Sequence, residues 1–187
     1  MPTSGPDRLP PIPHEAQTAE QRAAVAETMH GPRGAFGGPF VPLLRTPELM
    51  TRIQRLGAYI RYSGAVPHRL RELAIAVTAR ELRQVYEWVG HAPLAQKLGV
   101  EPSALAELAK GITPKAFKPE ERLIYDFCTA LHRDHSVSDE VYERIVALFG
   151  ETGVMELTVL CGYYVLIAMV LNVARTPMPP GTPDPFA

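Results

Sequence analysis

Apolar residues recur every three or four positions along most of the chain, which is the spacing of one buried face of an α-helix. Thr46, Pro47 and Glu48 are typical of a helix start: a capping residue, a proline at the first helical position and an acid that suits the helix dipole. The helix that follows is predicted to end near Tyr62, and its apolar face comprises Leu49, Ile53, Leu56 and Ile60.

The same spacing, together with proline starts and glycine ends, predicts further helices along the chain. They lie at about 18–29, 101–110, 118–132, 139–149 and 152–173, with a helical stretch between 67 and 98. Gly99 and Gly111 suit the left-handed position that ends many helices. No strand pattern and no repeat stands out, so the predicted fold class is all-α.

Proline and glycine concentrate near both ends of the chain. Five of the first thirteen residues are proline, and proline and glycine recur between residues 31 and 47, where regular structure cannot continue for long. We therefore predict a Pro/Gly-rich arm at 1–46, a helical domain at 47–176 and a Pro-rich tail at 177–187. The apolar side chains within the arm predict that it packs down; they are Phe36, Phe40, Val41, Leu43 and Leu44.

Charge and cysteine content narrow the possible partners and the compartment. The formal net charge is -1, and no block of like charges occurs. Nucleic acids and anionic membranes both require a basic surface, so neither is an expected partner. The N-terminal segment lacks the features of a signal peptide, and Cys128 and Cys161 match no metal or redox spacing. These observations predict a protein of the reducing cytoplasm.

One segment near the C-terminus is long enough to raise the question of a membrane. Residues 157–174 are 18 positions without a charge, which is the threshold length for a membrane span. The segment contains Thr158, Gly162 and Asn172, and it stands alone. A helix that is apolar all round is buried in a protein core or in a membrane. We expect a helix of the core or of a subunit interface.

The best acid–base chemistry in the sequence lies between residues 70 and 100. Glu87 and His91 are four positions apart, so on a helix they share a face. Glu72 stands among apolar residues, where a carboxyl group is suited to proton transfer near neutral pH. In one straight helix, Glu72 and His91 would be separated by about 28 Å. They share a site only if the chain breaks near 79–84, where no glycine or proline marks a break.

The pattern alone leaves simpler interpretations open. Glu87 and His91 also fit an ordinary exposed ion pair of a helix surface, worth a few tenths of a kcal/mol. Glu72 has three arginines as possible salt-bridge partners, at positions 69, 71 and 80. His132 and His135 are three positions apart at a helix end, but further ligands are missing, so no metal site is predicted.

The motifs ELAIAVTAR and YEWVGHAPLAQKLGV resemble the carboxymuconolactone decarboxylase family, and GPF-x-PLL-x-TPEL and YIRYSG extend the likeness over roughly residues 30–180. The resemblance implies an all-α multi-helix bundle in which Glu72, the paired positions Gln84 and Glu87, and His91 converge on one pocket. The peroxidase branch of the family has cysteines at both paired positions. Because neither Gln84 nor Glu87 can do thiol chemistry, a disulfide-cycling peroxidase is not expected.

The resemblance implies a cofactor-independent lyase that acts on a small carboxylated or lactone-like metabolite, of the kind met in aromatic catabolism. His91 is the predicted general acid or base, Glu87 its partner or a second proton carrier, and Glu72 the buried carboxylate that orients His91 or relays a proton. The predicted substrate contacts are Tyr86, Trp88 and Arg61. Family members assemble as dimers, trimers or hexamers, so a homo-oligomer is expected. Two alternatives are a non-enzymatic binding or structural protein, and a thiol peroxidase that uses Cys128 or Cys161.

Overall fold

The computed structural model describes residues 5–178 and 180–187, and this part of the chain contains helices and no strand. A short 3-10 helix, His14–Ala16, precedes eight α-helices. These are α1 Ala19–His30, α2 Phe40–Leu43, α3 Pro47–Tyr62, α4 His68–Glu81, α5 Val85–Lys97, α6 Pro102–Ala109, α7 Pro119–Arg133 and α8 Asp139–Ala174. The all-α prediction is confirmed.

The described residues divide into two compact units, one of residues 5–63, 169–178 and 180 and one of residues 64–168 and 181–187. The predicted domain boundaries at 46 and 176 stay a prediction.

In the first unit, α1 and α2 pack against α3. Thr18 begins α1 with a capping box, in which its hydroxyl accepts from the Gln21 backbone and the Gln21 side chain accepts from the Thr18 backbone. The segment 31–47 does pack down, because Phe40, Leu43 and Leu44 are buried. Within it, α2 is a single helical turn, which agrees with the expectation that no long element forms there.

Two details predicted for α3 are wrong. Leu49 is 50% exposed and Leu56 43% exposed, and the buried face of the helix is Met50, Ile53, Gln54, Gly57 and Ile60. The buried face is therefore rotated relative to the predicted one, and it includes the polar residue Gln54. Gln54 can be buried because its side chain donates a hydrogen bond to the Glu27 carboxylate over 2.8 Å. Thr46 precedes the helix, but its hydroxyl donates to the Leu43 carbonyl and does not cap α3.

In the second unit, α4 forms the centre and packs against α5, α6 and α7. All ten residues from Leu70 to Ala79 are buried. A helix that is enclosed on every side buries its polar residues too, and each of these requires a partner. Glu72 and Thr78 are such residues, and both lie in the clusters described below.

Helix α8 is divided as the sequence predicted. Gly150 has φ +68° and ψ 176°, a non-helical conformation between the predicted helices 139–149 and 152–173. Among the described helices, α8 alone is long and apolar enough to cross a membrane by length and composition, and half of its most apolar window is buried in the protein. This is weak evidence for a span, because the core helix of a soluble protein passes the same test.

Candidate active site

The turn between α4 and α5 determines the geometry of the site. Arg83 has φ +49°, its N–H donates to the Arg80 carbonyl over 3.0 Å, and the Gln84 N–H donates to the Ala79 carbonyl over 2.8 Å. These are the two hydrogen bonds of a Schellman motif, with arginine in the left-handed position that glycine usually occupies. The missing glycine is why the sequence did not mark this break. The turn lets α5 fold back against α4.

As a result, Glu72, Glu87 and His91 lie together. The Nδ1 atom of His91 is 2.5 Å from Oε2 of Glu72, and its Nε2 atom is 3.4 Å from Oε2 of Glu87. The other oxygen of Glu72, Oε1, is 3.2 Å from Nε2 of His68. The imidazole of His91 therefore lies between two carboxylates, and the simpler interpretation of two separate surface pairs does not describe this site.

Burial makes these interactions strong. Glu72 is 0% exposed, Glu87 6% and His91 7%. Burial by itself lowers the pKa of His91, but hydrogen bonds and charge from Glu72 and Glu87 outweigh it, and the net pKa is raised. Only a protonated imidazole can donate from both nitrogens at once. The site thus favours an imidazolium that is held by two acceptors.

Two neighbours of the site had no clear signal in the sequence. Tyr164 of α8 contacts the His91 ring edge-on, with centroids 5.1 Å apart. It comes from the uncharged segment 157–174, where two adjacent tyrosines within an apolar run were the only hint. His68 is four positions before Glu72 on α4, a spacing that could have drawn attention to it.

The predicted substrate contacts have different surroundings. Tyr86 is half-buried, and burial followed by the Glu87 charge raises its pKa. Trp88 packs edge-on against Phe186 at 5.3 Å and lines a cavity of about 250 Å³ between α5 and α6. Arg61 lies on α3 in the first unit, with its guanidinium over the Tyr62 ring. Contact of these three residues with a substrate stays a prediction.

Gln84 and Glu87, the two paired positions of the family motif, have different roles in this structure. Gln84 precedes α5 as its N-cap, and its side-chain oxygen accepts from the Tyr86 N–H over 3.0 Å. Glu87 contacts His91, as described above. A carboxamide and a carboxylate at these positions supply capping and acid–base groups and no thiol. In the described part of the chain, no group of three or more histidine, cysteine or acidic side chains is arranged to hold a metal ion.

Part of the chain matches a known protein family. Residues 47–130 match the model of the carboxymuconolactone decarboxylase family. The resemblance seen in the sequence is confirmed over this range, which contains Glu72, Glu87 and His91. No match was found among curated proteins. The match to this family model supports a decarboxylase-like or alkyl hydroperoxidase-like role at the level of the family.

Proposed function

We propose that the protein is a cofactor-independent acid–base enzyme of the carboxymuconolactone decarboxylase type, acting on a small carboxylated or lactone-like metabolite. The observation that supports this most strongly is the buried imidazole of His91 between the carboxylates of Glu72 and Glu87. A group used as a proton donor is best kept protonated near neutral pH, which is the direction in which the pKa of His91 is shifted.

The two contacts of His91 suggest which nitrogen reacts. The 2.5 Å contact between Nδ1 and Glu72 is short and charge-assisted, so it fixes the orientation of the ring. The 3.4 Å separation between Nε2 and Glu87 is longer than an ordinary hydrogen bond, so this proton is held less firmly. We assign Nε2 as the donating atom, Glu72 as a positioning residue and Glu87 as the carboxylate that relays a proton from water to His91 after each turnover.

In the proposed reaction, the bond between a ring carbon and the substrate carboxylate breaks and CO₂ leaves. The electron pair moves into the conjugated carbonyl of the lactone, and the imidazolium of His91 then protonates carbon. A positioned acid contributes typically about 10²–10⁴-fold to such a step. Tyr86 and Trp88 would contact the ring of the substrate.

Substitution of His91 tests this assignment. With a carboxymuconolactone as substrate and CO₂ release as the readout, His91→Gln should abolish turnover while the circular dichroism spectrum stays unchanged. His135→Asn is the matched control, because this histidine is exposed and asparagine tolerates its φ of +57°. That variant should retain full activity.

Two outcomes would contradict the proposal. If His91→Gln turns over as fast as the unsubstituted protein, His91 is not the acid. If the unsubstituted protein binds lactone acids, as seen by calorimetry, and releases no CO₂, the protein is a binding member of the family. Cys161→Ser should turn over as fast as the unsubstituted protein, because no cysteine acts in the proposed reaction.

We also propose that the protein forms a homo-oligomer through the second half of α8. Met155, Val159 and Leu166 are exposed apolar residues, and a side chain added at Gly162 would meet open space. The four positions are spaced by four, three and four residues, which is the repeat by which helices pair along a seam. A second copy of the same helix fits this stripe, because it presents an identical uncharged face.

We infer a cytoplasmic location from the two cysteines. Cys128 and Cys161 are free thiols, although their sulfur atoms are only 3.6 Å apart. Thiols that are so close fit a compartment that keeps them reduced.

A further inference from the structure

The second unit holds another cluster of reactive side chains, which the proposed reaction does not use. Cys128 of α7 and Cys161 of α8 lie with their Sγ atoms 3.6 Å apart, and both residues are buried. Thirty-three positions separate them in the sequence, so no redox motif announces the pair. Two sulfur atoms at this distance are in direct contact, and an approach of roughly 1.5 Å would bring them to the length of a disulfide bond.

Polar groups connect this pair with the protein surface. The hydroxyl of Thr78 lies 3.8 Å from Sγ of Cys161 and donates to the Ala74 carbonyl over 2.9 Å. Nε2 of His132 is 2.9 Å from the same hydroxyl oxygen. The single hydroxyl proton of Thr78 is donated either to the Ala74 carbonyl or to the Cys161 sulfur, so in both cases we assign Nε2–H of His132 as the donor to Thr78. His132 is half-exposed, so a line of polar atoms leads from solvent to Cys161.

These neighbours make the two sulfurs unequal. The contact with Cys128 lowers the pKa of Cys161 against the opposing effect of burial, and His132 and Thr78 lower it further. The contact with Cys161 and burial both raise the pKa of Cys128. Since the thiolate is the nucleophile, Cys161 is the sulfur that attacks first and Cys128 the one that follows.

We propose that Cys128 and Cys161 are a redox-active dithiol that a small hydroperoxide oxidises to a disulfide between α7 and α8. The Cys161 thiolate attacks an oxygen of the hydroperoxide, the O–O bond breaks, and the leaving oxygen takes a proton as water or an alcohol. Cys161 is then a sulfenic acid. The Cys128 sulfur attacks the Cys161 sulfur, the S–S bond forms, and the S–O bond breaks with release of water. Two thiols lose two electrons in total, and the hydroperoxide gains them.

The site is selective because it is buried. Hydrogen peroxide has the size of two water molecules and can follow the polar groups of His132 and Thr78. Cys128 is 0% exposed and Cys161 is 1% exposed, so a bulky thiol reagent cannot reach their sulfur atoms. This pair is separate from the Glu72–Glu87–His91 site, so its oxidation can be tested whether or not the lactone chemistry is correct.

Peptide mass spectrometry tests the proposal on the folded, reduced protein. After treatment with equimolar hydrogen peroxide, acid quenching and alkylation in denaturant, the Cys128 and Cys161 peptides should be recovered as one linked species. Dithiothreitol should restore both thiols. The same treatment of the protein unfolded in urea should give at least tenfold slower linkage, because unfolding separates the two sulfurs.

Single substitutions test the order of attack. Cys128→Ser should react with peroxide and stop at a sulfenic acid that dimedone traps, whereas Cys161→Ser should react at least tenfold more slowly. The corresponding alanine variants exclude an effect of the added hydroxyl, and circular dichroism establishes that each variant is folded. Thr78→Val removes the polar path and should slow the oxidation.

Three results would overturn the proposal. The first is folded protein that keeps both thiols after the peroxide treatment. The second is oxidation of both sulfurs to sulfinic acids without linkage. The third is linkage at the same rate in the folded and the unfolded protein, since the folded arrangement would then contribute nothing.

Discussion

Replacement of Glu72 by glutamine should lower the pKa of His91. The substitution keeps the shape of the side chain and leaves an amide oxygen that can accept from Nδ1 of His91. It removes the charge from the 2.5 Å contact. A hydrogen bond to a charged group is worth about 1.5–3 kcal/mol and a neutral one about 0.5–1.5 kcal/mol. The difference, about 1–1.5 kcal/mol, is the stabilisation of the imidazolium that the variant loses.

A double variant sharpens this prediction. In the unsubstituted protein, burial lowers the pKa of His91 and the two carboxylates raise it. With both Glu72→Gln and Glu87→Gln, only burial retains its full effect. The pKa of His91 should then fall below 6.5, the ordinary value for histidine. Glu48→Gln is the control, because Glu48 forms an exposed pair with Arg52 in the first unit.

NMR titration of the ¹⁵N-labelled imidazoles measures these values directly. The chain has six histidines, and the spectrum of His91→Gln identifies the resonance of His91. A pKa of His91 that is below 6.5 in the unsubstituted protein, or that is the same in Glu72→Gln, would refute the reasoning. The sign also applies to stability: a raised pKa means that protonation of His91 stabilises the fold fully below pH 6.5, and that this contribution is lost as pH rises through the folded-state pKa.

Two further predictions concern assembly and the helix turns. Leu166→Glu should shift the sedimentation coefficient to that of a smaller species. Leu148→Glu, at a more exposed leucine on the first half of α8, should not, and equal behaviour of the two variants would exclude the stripe as the interface. Gly99→Ala should reduce the free energy of unfolding in urea by about 1–3 kcal/mol, because Gly99 has φ +103° and a Cβ there meets only ordinary contacts. Gly90→Ala, inside α5 with open space around it, should increase that free energy by about 1 kcal/mol, and two changes of the same sign would refute the backbone argument.

Helix starts and ends were the features that the sequence predicted best. Pro47, Pro102 and Pro119 are each the first residue of a helix, and Gly99 and Gly111 both follow a helix end with positive φ. These signals are local, because a proline ring or a missing Cβ restricts the backbone at its own position. Such residues therefore act in the same way in any fold.

The direction of a helix face was less predictable. On α3, the set that begins at Leu49 and the set that begins at Met50 both have helical spacing. Spacing indicates that a face exists, but what packs against it decides which set is buried. Gln54 of α3 donates its hydrogen bond to Glu27 of α1. The periodicity of α3 does not indicate where α1 lies.

The sequence predicted the convergence of the candidate site residues only in part. Glu87 and His91 lie on one helix, so their spacing predicted their contact. The contact with Glu72 depends on a left-handed Arg83, a residue type that does not mark such turns. The contacts of Tyr164 with His91 and of Cys128 with Cys161 join residues that are far apart in the sequence. No local sequence pattern predicts such contacts.

The buried charges on α4 and α5 have a consequence for the history and engineering of this fold. Replacing a buried ionic cluster by apolar residues of similar volume is often neutral or stabilising by about 1–4 kcal/mol. Stability alone would therefore not have retained Glu72, Glu87 and His91 at the centre of the second unit. A design procedure that optimises only stability would place leucine or methionine at these positions. Its product would be more stable and would lack the acid–base groups. The polar centre of α4 and α5 is what the proposed reaction requires, and the stability of the fold does not require it.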